Sequence, residues 1–202
     1  MRLAGGCPLN YSWGNMQKTR DTSEHVPSES NEIELSMDEL REIAGFAVEC
    51  ACRALLIFER HMPGDNRPRE AIEAALAFSQ GEKRSNALRA CGIAAFKAAG
   101  SAATPAAAEA AKAATQTVGA AFLHPLAKAH QVAHILGAAA HAARAAELDA
   151  DNNSQVGAAE RDWAIQHAPA TVSDILARYP AAPSGGGRTG ELLRELDAAL
   201  RQ

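Results

Sequence analysis

Three histidines at helical spacing are the most specific candidates for chemistry in the chain. His130, His134 and His141 fall within 125–148, an alanine-rich segment that predicts one long helix. At about 100° per residue they lie within about 40° of one another, so they share one stripe. The spacing of the first two allows both imidazoles to bind one metal ion. His141 stands about 10 Å further along the axis, too far to bind the same ion.

The residue after the first histidine weighs against metal chemistry. A metalloprotease helix carries a glutamate there as general base, whereas Gln131 has a neutral amide that cannot take up a proton. His130 and His134 are therefore weak metal candidates, and we expect neither a metal nor a cofactor. The stripe is then either a seam between helices or an exposed recognition face. In the second case His130, Gln131, His134 and His141 are candidate partner-binding residues.

A segment between two predicted helices partly matches a calcium-binding loop. Asp149, Asp151, Asn153 and Glu160 occupy places 1, 3, 5 and 12 of the twelve-residue pattern. The sixth place, where glycine allows the sharp turn, holds Ser154 instead. We therefore expect an ordinary turn in which Ser154 caps the following helix.

A charged segment near the start of the second predicted helix is a further candidate. Arg67 and Arg69 could bind a phosphate or an acidic partner there, and Glu73 lies one turn further on. Charged helix ends of this kind are more often a solvated face. We add these three residues to the candidate partner-binding set and expect them beside the histidine stripe.

The cysteines predict no shared site. Cys50 and Cys52 fall on one helix with their thiols about 200° apart, so they cannot bind one metal ion together. Cys91 lies on another predicted helix and Cys7 near the N-terminus. No serine or cysteine stands in a recognisable nucleophile motif, so we expect a binding protein and not an enzyme. Four reduced thiols and no export signal favour the cytoplasm.

Composition decides the fold class. Nearly a quarter of the 202 residues are alanine and only 4% are aromatic, which favours helices and excludes an all-β fold. No apolar run is long enough to span a membrane. A net charge of −4 argues against nucleic acid as the partner.

The helix signals place about eight helices in one compact bundle or short solenoid. Residues 1–34 lack helical periodicity, so we expect a flexible tail followed by a single all-α domain over 35–202. Ser36 and Glu39 form a capping-box pattern that begins the first helix. The predicted helices cover 36–61, 68–81, 85–99, 105–123, 125–148, 155–167, 169–179 and 189–201.

From about residue 35 onward, the sequence resembles a family of small helical proteins from high-GC bacteria, described as immunity proteins of polymorphic toxin systems. The resemblance rests on RPRxAIE at 67–73, on HPLAKAHQVxHILGAAxHAA at 124–143, and on YPAAP at 179–183 with GELLREL at 190–196. The block at 124–143 is the most specific of these.

The resemblance implies a protein that binds a cognate toxin domain made by the same cell and blocks it. It implies no active-site residues. The alternatives are a metal-dependent helical enzyme using His130 and His134, or a ligand-sensing regulatory module. The acidic net charge is compatible with a basic nuclease toxin as the partner. The oligomeric state is left open.

Overall fold

The computed structural model describes residues 32–202, which fold into eight α-helices. Within this part of the chain, extended backbone pairs only in one isolated bridge, between Glu32 and Leu126. The predicted all-α fold with about eight helices is confirmed. The helices are α1 (Met37–His61), α2 (Arg67–Ser79), α3 (Asn86–Gly100), α4 (Pro105–Ala121), α5 (Val132–Asp149), α6 (Ser154–His167), α7 (Ala170–Leu176) and α8 (Gly187–Leu200).

Several helices begin where local capping signals predict. At α1 the Ser36 hydroxyl accepts from the backbone N–H of Glu39 at 3.1 Å, and the Glu39 carboxylate accepts from the backbone N–H of Ser36 at 2.7 Å. Ser85 and Thr104 cap α3 and α4 in the same way, and Pro105 occupies the first position of α4. These contacts span three residues, so the sequence alone suffices to predict them.

Alanine allows the central helices to pack closely. α1, α4 and α5 pack against one another, and most of the buried residues of α4 are alanines. On one side, α2 packs on α1, α3 and α4. On the other, α6 and α8 pack on α5, and α7 contacts α1, α5 and α8. The buried side chains form one hydrophobic core, so the helices are arranged as a bundle.

The fifth helix begins later than the sequence predicts. Pro125 could occupy the first position of a helix, as Pro105 does in α4, but its carbonyl accepts from the backbone N–H of Ile33 and not from a residue of the same helix. The chain instead runs extended through Leu126, which bridges to Glu32, and then makes a 3₁₀ turn at Ala129–Gln131 before α5. The predicted helix over 125–148 is therefore wrong in its first part.

Residues 32–34, which the sequence assigns to the tail, contact the helical domain. The backbone N–H of Ile33 donates to the carbonyl of Pro125 at 2.6 Å. The guanidinium of Arg178 donates to the carbonyl of Glu34 at 2.9 Å. The rest of the predicted tail lies outside the described residues.

Candidate partner-binding surfaces

The three histidines do not form one stripe on α5. His130 is exposed in the 3₁₀ turn before the helix, whereas His134 and His141 lie on α5 and are half-buried. The prediction of a single helical stripe is wrong because the helix begins only at Val132. The two helical histidines both face α4, and we call their contacts with Gly119 and Glu109 of that helix the histidine seam.

Gln131 is buried and closes the connection between α4 and α5. Its side-chain oxygen accepts a hydrogen bond from the backbone N–H of His124 at 3.0 Å. Its side-chain nitrogen lies 2.8 Å from Nε2 of His130. The amide thus satisfies a backbone donor left unpaired where α4 has ended. This contact gives Gln131 a role in positioning the loop.

His134 packs against the backbone of α4. A Cβ added at Gly119 would lie only 2.7 Å from the His134 Nδ1 atom, so the glycine leaves the room that the imidazole fills. That nitrogen is buried and has no hydrogen-bond partner among the described residues. Burial, with a smaller contribution from the charge of His130, lowers the pKa of His134. A neutral imidazole is therefore packed in the seam.

His141 is tied to a carboxylate of α4. Its Nδ1 atom lies 2.6 Å from Oε2 of Glu109, whose other oxygen accepts from Lys112 at 2.7 Å. The hydroxyl of Thr189, on α8, donates to the same Oε2 atom at 3.2 Å. Burial raises the pKa of Glu109, but His141 and Lys112 outweigh it and hold the value at about 2. This cluster joins three helices through one ionised carboxylate.

The charged segment at the start of α2 also makes contacts within the domain. Arg67 forms an ion pair with Asp65 at 2.6 Å and donates to the hydroxyl of Ser101 at 3.0 Å. Arg69 pairs with Glu59 of α1. Among the described residues, no hydrogen bond or ion pair joins this segment to the histidine seam, so the expectation of one joint surface gains no support.

Glu73 differs from the two arginines of its segment. It is exposed on α2 and makes no hydrogen bond or ion pair with any residue of 32–202. Of the seven candidate residues, Arg69, Glu73 and His130 are exposed, whereas Gln131 is buried. A role for any of the seven in partner binding stays a prediction.

The calcium-like segment is a turn held by side-chain contacts. Asp149 forms an ion pair with Arg60, and Glu160 pairs with Arg53, so both carboxylates are occupied by arginine. The following helix is capped by Asn153, one residue earlier than the predicted Ser154. Across residues 32–202, no group of three or more histidine, cysteine or acidic side chains is arranged to hold a metal ion.

Sequence reasoning missed an apolar groove between α3 and α4. Ile93 and Phe96 project from α3 and are 52% and 62% exposed, and because residues three apart are neighbours on a helix, they form one exposed apolar patch. The groove holds about 310 Å³ and is lined almost entirely by apolar atoms. The guanidinium of Arg89 lies over the ring of Phe122 at 4.4 Å and borders it. The main lining residues are Arg89, Gly92, Ile93, Phe96, Val118 and Phe122.

The exposure of Ile93 and Phe96 follows from their position on α3 relative to its buried residues. The five buried residues of α3 lie within about 120° of one another at 100° per residue, and all but Leu88 are glycine or alanine. Ile93 and Phe96 lie outside this arc, away from its centre. A helical wheel of the sequence could have identified them, because Ile93 and Phe96 lie at angles that differ from those of the small buried residues of α3.

The model of a family described as Imm-5 like putative immunity protein matches residues 34–171, about two thirds of the chain. The chain belongs to this family. Comparisons with curated proteins and with solved structures found no match.

The family range covers the histidine seam and the apolar groove. It includes α1 to α6, and with them the motifs at 67–73 and 124–143 on which the resemblance rests. The motifs at 179–183 and 190–196 lie beyond its end, as does α8. No described helix is both long and apolar enough to cross a membrane.

Proposed function

We propose that this member of the immunity-protein family binds a cognate bacterial toxin domain and neutralises it by direct protein contact in the cytoplasm. The family match over 34–171 carries the proposal, because it spans most of the helical domain. Exposed Phe96 and Ile93 support it, since large apolar side chains in contact with water are typical of surfaces that bind protein.

The contacts of the polar candidates support binding over catalysis. A general acid or base must reach a substrate, yet the carboxylate of Glu109 is shared among His141, Lys112 and Thr189. In the alternative, a metal-dependent enzyme, His130 and His134 would ligate one ion. His130 Nε2 instead faces the Gln131 amide, and His134 Nδ1 faces the α4 backbone at Gly119.

Growth protection tests the proposal. We expect the adjacent open reading frame to encode a long secreted protein whose variable C-terminal domain is the toxin. That domain is expressed in a sensitive bacterium, with or without this chain. We expect growth to be restored by this chain and not by an unrelated helical protein of similar size. Failure to protect at equal expression would contradict the proposed function.

The dose dependence of the same assay separates binding from catalysis. A protein that blocks its toxin by occupying it must be present in at least equal amount, so protection should fall when the toxin exceeds the immunity protein. An enzyme that destroys the toxin or its product would protect at a small fraction of the toxin concentration. That second outcome would favour the enzyme alternative.

A further inference from the structure

The apolar groove has the shape of a docking site for one face of a partner element. Phe96 and Ile93 stand on its α3 side, with Phe122 on the α4 side. Gly92 forms part of the floor, where a Cβ would lie 2.9 Å from Val118, so the two helix backbones approach closely beneath the groove. A cleft with an apolar floor and protruding aromatic side chains is where binding energy concentrates in protein interfaces.

The charged residues around the groove are mostly basic. α3 carries two charged side chains, Arg89 and Lys97, and both are exposed cations. Just before this helix, the guanidinium of Arg84 donates to the carbonyl of Ala121 at the end of α4 over 3.5 Å, whereas Glu82 and Lys83 line a separate cavity between α2 and α3. No ion pair within residues 32–202 involves any of the four cations.

We call the exposed cations of Arg89 and Lys97 the basic rim of the groove. The carboxylate of α4 does not neutralise them. Glu109 is the only acidic residue of that helix, and it is bound to Lys112 and His141. The whole chain has a net charge of −4, so the exposed cations of Arg89 and Lys97, which form no ion pair with residues 32–202, depart from its average surface. Unpaired charge next to exposed apolar area favours a partner of opposite charge.

We propose that the groove docks an acidic, apolar element of the partner protein, with apolar side chains against Phe96 and Ile93 and carboxylates facing Arg89 and Lys97. This inference rests on the proposed function, because it identifies the surface through which this chain binds the toxin. A second copy of this chain fits less well, because its basic rim would face this one. The contact surface of the toxin is then acidic, whatever the net charge of the toxin.

Substitution in the groove tests the apolar part of this contact. Phe96→Glu places a carboxylate at the centre of the proposed interface without filling any buried space. Leu56→Glu is the matched control, because Leu56 is 72% exposed on α1 and does not line the groove. Against the toxin domain encoded by the adjacent gene, we expect Phe96→Glu to raise the Kd about 30-fold or more and Leu56→Glu to leave it within about 2-fold.

Charge reversal tests the basic rim. The double variant Arg89→Glu with Lys97→Glu should raise the Kd at least about 10-fold in low salt. The wild-type Kd should rise with sodium chloride, and that rise should be smaller in the double variant. Melting curves of each variant check that it is folded, and Ile93→Glu repeats the test if Phe96→Glu is not.

The outcomes separate this inference from the proposed function. If the wild type binds the toxin domain and Phe96→Glu and Ile93→Glu bind equally well, the groove assignment is overturned while the proposed function stands. Self-association of the wild type that Phe96→Glu abolishes would also overturn it, in favour of a second copy. If the wild type does not bind the toxin domain at all, both fall together.

Discussion

His141 of α5 donates a hydrogen bond from Nδ1 to Oε2 of Glu109 on α4, over 2.6 Å. The proton is on the histidine, because a carboxylate with a pKa of about 2 is ionised at neutral pH and can only accept. This pair, with His134 packed at Gly119, makes the inner face of α5 polar where it meets α4. Of the two explanations for histidines on this helix, a seam between helices accounts for these contacts.

Loss of the seam should lower stability. His141→Ala removes a hydrogen bond to an ionised and mostly buried carboxylate, so we expect the free energy of unfolding to fall by about 1–3 kcal/mol. His124→Ala is the matched control, because the His124 side chain is exposed and makes no hydrogen bond with residues 32–202, so its effect should stay below about 0.5 kcal/mol. Urea denaturation of both variants measures the difference.

The opposite pattern would favour a recognition role for this histidine. If His141→Ala leaves the unfolding free energy unchanged but weakens toxin binding, the residue contacts the partner and is not a structural group.

Acid should weaken the domain through Glu109. The pKa of this carboxyl is held at about 2, below the usual 4.5, so the ionised form stabilises the fold. The contribution, about 2–3 kcal/mol, is fully present above pH 4.5 and is lost as the pH falls from 4.5 towards 2. Glu109→Gln should therefore be less stable at neutral pH and should lose less stability over that interval.

Unfolding free energies at a series of pH values check this prediction. Glu73→Gln serves as the control, because Glu73 is exposed and forms no ion pair with residues 32–202. A Glu109→Gln variant whose stability falls with acid as steeply as that of the wild type would show that this carboxylate is not stabilised by its neighbours.

The close approach of α3 and α4 predicts an unusual response to alanine. Alanine normally stabilises a helix relative to glycine by about 1 kcal/mol. At Gly92, however, the new methyl group would lie 2.9 Å from two atoms of Val118, and overpacking of this kind costs about 1–3 kcal/mol. We expect Gly92→Ala to lower the melting temperature.

Gly100→Ala is the control on the same helix, because nothing lies within 4 Å of a Cβ at that position. It should leave the melting temperature unchanged or raise it slightly. Equal melting temperatures for the two variants would mean that α3 and α4 are further apart than described.

Helix starts that depend on contacts between residues close in the sequence could be predicted from the sequence alone. Ser36 and Glu39 cap α1 across three residues, and Thr104 caps α4 in the same way. The start of α5 was out of reach, because it depends on the bridge from Glu32 to Leu126 and on the amide of Gln131. Both contacts join residues whose proximity only the fold creates.

The candidate surfaces show the same limit. A helical wheel separates Ile93 and Phe96 from the small residues of α3, but only the packing shows that no neighbouring helix covers the two large side chains. Likewise, the spacing of His134 and His141 places them on one side of α5, whereas the presence of α4 on that side is a property of the packing.

Two deletions test where the folded domain begins. Removing residues 1–30 should change the melting temperature by less than about 5 °C, since that part of the sequence has little helical periodicity. Removing 1–35 also deletes the contacts of Ile33 with Pro125 and of Glu34 with Arg178, so a clearly larger drop is expected. Equal melting temperatures for the two would place the boundary after residue 35.

Direct titration of the purified chain with the toxin domain of the adjacent gene tests the central claim most directly. Calorimetry should show a one-to-one complex with a Kd on the order of nanomolar, as is common for inhibitory protein pairs. The toxin activity should fall in proportion to the complex formed. Absence of binding at concentrations up to about 100 μM, with both proteins folded, would contradict the account.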